Sequence, residues 1–229
     1  MSLALFDLDH TLLSGDSDVL WCEFLIRHGL LSATQRQRNL ELDAEYRAGT
    51  LSVAAYCSFH VGLLAGRSAA FWAPWCQRFL HEEVLPRIPP AAHALVEGHR
   101  AAGHMLVLTT ATNRVISELT AQALGIPHLI ATEAEVVDGL YSGRVRGLPN
   151  MQHGKVERLV DWLAQQGLGT AVLAQAHFYS DSANDLPLLG AVAHPVAVDP
   201  DPRLLAHALA QGWPVLQLAC PWRGQVPVA

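Results

Sequence analysis

The stretch LALFDLDHTLLSGD, Leu3 to Asp16, decides how the rest of the chain reads. It opens as an apolar run of β character and ends in two aspartates, Asp7 and Asp9, one residue apart. Residues two apart on a strand point to the same side, so both carboxylates crowd one small region at the strand's end. Such crowding is costly unless a cation or a shared proton offsets it. The plain alternatives are a turn with solvated acids and a calcium loop. The latter needs glycine where Leu12 stands, and a helix ahead of it rather than a strand.

From about Asp18 to Ile88 the pattern turns helical. DVLWCEFLIRHGLL, ATQRQRNLELDAEYRAG and SAAFWAPWCQRFLHEEVLPRI show apolar residues every three to four positions, and no segment between them reads as a strand. After the helical AAHALVEGHRAAG comes MLVLTT, the mark of a buried parallel strand, and then the helix NRVISELTAQALG. HLIAT follows as a strand, EVVDGLYSGRV as a hairpin turning at Asp138-Gly139, and GKVERLVDWLAQQG as a helix. AHFYSD, NDLPLLGAV and HPVAVD add strand, short helix and strand; the tail CPWRGQVPVA reads as an extended surface segment. Strands alternating with helices predict an α/β fold, a Rossmann-like three-layer core with a parallel sheet. The all-helical stretch is a cap inserted after the first strand, so residues 1–15 and 89–229 form the core and 16–88 the cap.

Of the 229 residues 51% are hydrophobic and 16% charged, enough for a substantial core. A formal net charge of −6 gives no basic field for nucleic acid or an anionic membrane, so an anionic ligand must be attracted by local groups. The first residues lack a basic segment ahead of an apolar run, no apolar stretch reaches membrane-spanning length, and the four cysteines (Cys22, Cys57, Cys76, Cys220) show no CxxC spacing. These features predict a cytoplasmic protein without disulfides or a cysteine zinc site. The histidines, His10 included, and the cap tryptophans read as surface or packing residues.

Ligands of parallel sheets bind at the carboxyl ends of the strands. Asp7 and Asp9, then Thr109 and Thr110, then Lys155 opening a helix after Gly154, then Asp181, Asn184 and Asp185 all fall at or near such ends. Converging carboxylates are the composition of a site for a hard divalent cation, Mg²⁺ with Mn²⁺ as the alternative. A lysine, a hydroxyl and backbone N–H groups beside them suit phosphoryl oxygens, and a carboxylate can attack phosphorus. Asp7 is the candidate nucleophile, and Asp9 is placed to give a proton to the leaving oxygen and later take one from water.

FDLDHT, LVLTTATN, GKVERL and YSDSANDLPLL, in this order, resemble the four signature motifs of the haloacid dehalogenase superfamily of phosphatases, over nearly the whole chain. The closest likeness is to the branch with phosphoserine phosphatase, where a helical cap follows the first motif. The resemblance implies Asp7 as nucleophile and metal ligand, and Asp9 as general acid/base with its backbone carbonyl on the metal. It implies Thr110 and Lys155 as phosphate holders beside Ala111, Asp181 as a metal ligand, and Asn184 with Asp185 as support. In phosphoserine phosphatases an acid after the first motif pairs with the substrate ammonium and a cap arginine with its carboxylate. Here Asp16 falls at the acid's place and His60 at the arginine's. A neutral imidazole cannot replace a guanidinium clamp, whose loss costs on the order of 2 to 5 kcal/mol for a buried pair. The expected substrate is therefore a small phosphate ester keeping the ammonium without the carboxylate, such as histidinol phosphate, with phosphoserine as the alternative and Arg47 or Arg67 as replacement clamps.

A phosphotransferase would share the aspartyl-phosphate, and a non-catalytic phospho-ligand binder would normally have lost one of these groups. No GxGxxG follows a strand and no GxxxxGK[ST] occurs, which removes dinucleotide and P-loop readings. The enzyme is expected to act as a monomer or homodimer.

Overall fold

The computed structural model describes residues 2–48, 50 and 52–218, with the side chains of Tyr46 and Arg47 left aside. Strand β1 (Leu3–Phe6) is buried at every position, as a central strand covered on both faces must be. It pairs in parallel with β2 (Met105–Asn113) on one side and β6 (His177–Ser180) on the other. β3 (His128–Thr132) extends the sheet beyond β2, and β7 (His194–Val198) and β8 (Val215–Leu216) extend it beyond β6, giving the parallel order β3-β2-β1-β6-β7-β8. Parallel strands need crossovers, and the helices α5 (Pro90–Ala101), α6 (Arg114–Ala123), α7 (His153–Gln165), α8 (Leu186–Leu189) and α9 (Pro202–Gln211) lie in the connections. One consequence positions the site: β2, β1 and β6 are neighbours, so the residues just beyond their carboxyl ends meet.

Between β1 and α5 the chain forms α1 (Ser17–Arg27), α2 (Thr34–Ala48), α3 (Val53–Gly62) and α4 (Ala69–Phe79), all helical as the periodicity predicts. The helical pattern over residues 68–88 is realised as more than one kind of turn: α4 passes through a π-helical turn, Leu80–Val84, into a 3₁₀ turn, Leu85–Arg87. Pro86 stands inside that last turn, where its missing N–H removes one bond of a continuing α-helix. The helical segment is not a separate oily body. Trp21, Phe24, Trp72 and Phe79 pack in one apolar cluster with Phe6, Leu108 and Tyr179 of the sheet.

The hairpin forms where expected, β4 (Ala134–Val137) against β5 (Leu140–Val145), with positive φ at both Asp138 (50°) and Gly139 (79°). That pair is what a two-residue turn matching strand twist requires. The hairpin docks on the helical segment: Tyr141 O accepts from Gly66 N, and Tyr141 N donates to Arg67 O, each at 2.9 Å. β8, α9 and the 3₁₀ turn Thr170–Gln175 were not among the elements expected from the sequence. The predicted extended tail CPWRGQVPVA lies outside the described residues. Cys22, Cys57 and Cys76 are free thiols.

Candidate active site

Burial dictates much of what the aspartates do. Asp7, just past β1, takes a 2.8 Å bond from Lys155 Nζ, and the same ammonium donates to Asp185 Oδ2 at 2.6 Å. All three residues are almost completely buried. Ser180 Oγ adds a 2.8 Å bond to Asp185, and Asn184 Oδ1 accepts from Gln152 at 3.2 Å. Thr11 Oγ1 stands 3.4 Å from both Asp7 Oδ2 and Asp181 Oδ1, and accepts from Asp181 N at 3.0 Å. Burial pushes the Asp7 carboxyl up to about 7 against the pull of Lys155, with Asp185 and Asp9 raising it further. Asp181 is raised well above the carboxylate range by burial and then by Asp7 and Asp185. Lys155 is held fully cationic by its two partners despite burial.

Three buried acids therefore face one ammonium, an excess of negative charge made entirely of hard oxygen donors. That donor chemistry fits Mg²⁺: Asp7 and Asp181, joined by one hydroxyl, are the pair left for a cation after Lys155 is counted.

Asp9 turns the other way. Its Oδ1 accepts from Ser17 N at 2.6 Å, and its Oδ2 from Thr112 Oγ1 at 2.7 Å and Thr110 Oγ1 at 3.4 Å. It thus ties the end of β1 to the start of α1 and to the end of β2. The strand β2 runs three residues past the expected MLVLTT, and its pairing jumps from Thr110–Ala131 to Asn113–Thr132. The two extra residues bulge, which brings Ala111 to the crevice while Thr110 turns its hydroxyl to Asp9 and Thr112 N. Asn150 pins this end, its amide nitrogen 3.0 Å from Thr109 Oγ1, 2.9 Å from Thr110 O and 3.0 Å from Ile130 O.

A crevice lined by Asp7, Asp9, Asp16, Tyr56, Ala111, Met151, Lys155, Asn184 and Asp185 opens at the carboxyl end of the sheet. Asp16 caps α1 through a 2.9 Å bond from Val19 N, and the Tyr56 hydroxyl reaches its other oxygen at 3.4 Å. Burial, and next the charge of Asp9, push Asp16 up to about 8.

His60 does not reach this crevice. It lies one turn beyond Tyr56 in α3, its ring packed on Tyr56 and Phe59, with neither nitrogen in a hydrogen bond to the described residues. Its Nδ1 is 3.9 Å from Asp18 Oδ1, and burial drops its pKa to about 3 while Asp18 is pushed well up by burial and Asp16. The imidazole is therefore neutral at pH 7, beside a carboxyl whose ionised form burial disfavours. Arg67 is stacked over Phe71 at 4.8 Å, and the Arg47 side chain lies outside what is described. Lys155 is the one cation among the described residues of the crevice wall.

Sequence reasoning missed Thr11, Ser17, Asp18, Tyr56, Asn150 and Met151, whereas Thr112 and Thr109 are the alternatives to Thr110 that the end of the strand offers by its composition. Asp18 had a signal: an acid in the first turn of an apolar helical run.

The model of the family described as haloacid dehalogenase-like hydrolase matches residues 4–190. The chain belongs to that family. A histidinol-phosphatase of Neisseria meningitidis is 39% identical over 217 residues, covering 94% of this chain and 98% of the relative. Phosphoserine phosphatase SerB1 of Mycobacterium tuberculosis is 31% identical over 218 residues, 93% of this chain and 69% of its own. Among solved structures, a protein of unknown function from Bordetella pertussis superposes with a TM-score of 0.90 at 45% identity, covering 95% of this chain and 98% of that one. With named phosphatases among its relatives, this haloacid dehalogenase-like hydrolase is a phosphatase, an enzyme of phosphate esters. Among the described residues no helix is long and apolar enough to cross a membrane.

Proposed function

We propose that the chain is a Mg²⁺-dependent phosphomonoesterase working through an aspartyl-phosphate on Asp7, with a phosphorylated amino alcohol such as histidinol phosphate as substrate. The observation that carries the mechanism is the buried Asp7–Lys155–Asp185 array beside Asp181. Asp7 oxygen bonds to phosphorus as the ester P–O bond breaks, and the departing alkoxide takes the proton carried by Asp9. In the second half Asp9 takes a proton from water, the water oxygen bonds to phosphorus, and the Asp7–phosphorus bond opens to release phosphate. Lys155 spreads positive charge over the phosphoryl oxygens and holds Asp7 in line. Mg²⁺, held by Asp7, Asp181 and the Asp9 backbone carbonyl, would keep Asp7 ionised and neutralise phosphoryl charge. Ala111 on the bulge of β2 brings backbone close to the phosphoryl group.

For the leaving group, the half-buried Asp16 suits an ammonium, whose charge would draw its carboxyl into the ionised form, and among the described residues the crevice wall offers no cation besides Lys155 to a substrate carboxylate. The 39% identical histidinol-phosphatase supports the same class. His60 acts here indirectly, by packing behind Tyr56 and Asp18. The phosphoserine reading keeps the mechanism and draws on SerB1.

The test is phosphate release with Mg²⁺ and with EDTA over histidinol phosphate, phosphoserine, phosphoethanolamine and an aryl phosphate. Metal-dependent turnover highest for histidinol phosphate is the expected result. Phosphoserine highest would overturn the substrate class, and silence on all four would overturn hydrolysis by this site. Asp7→Asn is expected to lower kcat by on the order of a thousandfold or more with an unchanged circular dichroism spectrum. Near-normal turnover in that variant removes the nucleophile assignment.

A further inference from the structure

The opposite end of the sheet carries a second constellation that the phosphatase chemistry does not use. His177 opens β6, His194 opens β7 directly beside it, His104 precedes β2, and His99 sits in the last turn of α5. Because every strand of the sheet is parallel, the end that begins these strands is the one remote from Asp7. Candidate ligand nitrogens of His99, His104 and His177 all lie within 4.8 Å of one another. Among the described residues they form the one such trio of His, Cys, Asp or Glu.

We propose that His99, His104 and His177 form a binding site for a borderline divalent transition metal of the Zn²⁺ class, separate from the site of the aspartates. Imidazole nitrogen is a ligand for Zn²⁺ and a poor one for Mg²⁺, so the two ends of the sheet select different cations. Three histidines leave a fourth position for water, and His104 and His177 are only partly buried, which gives the ion a way in.

Three further features point to a ligand. The Tyr179 hydroxyl stands 2.8 Å from His99 Nε2 and can accept its proton, the tautomer that leaves the Nδ1 lone pair for the cluster. Metal-bound histidines are oriented in this way by a partner on their other nitrogen. The His177 Nδ1 is buried and has no hydrogen-bond partner among the described residues, a costly state for a polar atom. Burial and the neighbouring imidazoles hold His99 down to about 4, so it is uncharged and able to ligate at neutral pH.

The present 2.7 Å contact between His99 Nδ1 and His104 Nδ1 is a hydrogen bond carrying one proton. Ligation breaks it: that proton leaves His104 Nδ1 and one is taken up at its Nε2, with no net release. Two nitrogens on a tetrahedral Zn²⁺ at about 2.0–2.1 Å stand about 3.4 Å apart, so the pair opens by about 0.7 Å, within the reach of ring rotation.

The experiment is calorimetric titration of the full chain with Zn²⁺ in saturating Mg²⁺, together with long-range proton–nitrogen spectra of the histidine rings. The expected result is one equivalent of Zn²⁺, selective shifts of the His99, His104 and His177 ring signals, and a rise in melting temperature with Zn²⁺. His104→Ala and His177→Asn should each weaken binding at least about tenfold and abolish that rise, and Tyr179→Phe should weaken it about tenfold. The ring spectra need no variant, so they decide the matter even if a substitution impairs folding. Unmoved ring signals, or a Zn²⁺ affinity indifferent to His104→Ala and His177→Asn, would overturn the site and leave a hydrogen-bonded histidine ladder.

Discussion

At the scale of single residues, Lys155 and His60 show how burial turns charge into constraint. Lys155 is the counter-charge to Asp7 and Asp185 at 2.8 and 2.6 Å, and its removal leaves acids buried without a cation. Lys155→Met is therefore expected to lower unfolding free energy by about 3–5 kcal/mol, the usual result of breaking one side of a buried pair. Urea unfolding checks it, and a loss below about 1 kcal/mol would contradict the array. His60 works in the opposite sense, because its folded pKa of about 3 lies below the unfolded value of 6.5. The neutral ring is stable to bury above pH 6.5, and that stability is lost as pH falls, since only the unfolded chain then takes up the proton. From pH 7 to pH 5 the loss is about 2 kcal/mol. Asp18, facing His60 at 3.9 Å with a raised pKa, contributes the opposite slope, as does Asp16. The difference between the wild-type and His60→Phe stability profiles isolates the imidazole: the variant should lose less on acidification.

At the scale of elements, the chemistry depends on where α7 and β2 end. Gly154 is the second residue of α7, directly before Lys155, and a Cβ there would stand 2.3 Å from the Pro149 carbonyl oxygen. Backbone cannot yield as a flexible side chain can, so Gly154→Ala should cost about 1–3 kcal/mol and shift Lys155 away from Asp7. Thermal melting and turnover should fall together; an unaltered melt would show that the loop 148–153 adjusts freely. Just ahead, Gln152 has φ 51° and ψ −124°, outside the left-handed well, so the helix starts from strained backbone. The neighbouring Asn150 amide holds the ends of β2 and β3 together. These details are hard to read from sequence: the motif order placed Lys155 near Asp7, whereas the bulge that turns Thr110 to Asp9 and Ala111 to the crevice depends on strand pairing.

At the scale of the whole molecule, the helical segment and the sheet share one apolar cluster, from Trp21 and Phe79 to Phe6 and Tyr179. Cooperative melting follows from shared burial, so calorimetry is expected to give a single transition with matching calorimetric and van't Hoff enthalpies. Two separated transitions would mean that the helices fold apart from the sheet. Around the crevice the contact is slighter: Leu42, Tyr56 and Cys57 meet Met151 in a small separate cluster.

The sequence by itself determined the alternation of helix and strand, the helical segment after β1, and that Asp7, Lys155, Asp181 and Asp185 gather at the carboxyl ends of the strands. Each follows from local signals: apolar periodicity for the elements, and acids at strand ends for the site. What Asp9, Thr110 and His60 do was decided only by tertiary structure. Asp9 bonds to Ser17 N, Thr112 and Thr110 across 8 to 103 positions of chain, and His60 is set one helical turn behind Tyr56. The histidines at the strand beginnings make the same point, since His99, His104 and His177 meet only once β6 lies beside β1. Periodicity fixes which face of an element is buried; which side chains then share a space depends on pairing and packing between elements distant in the chain.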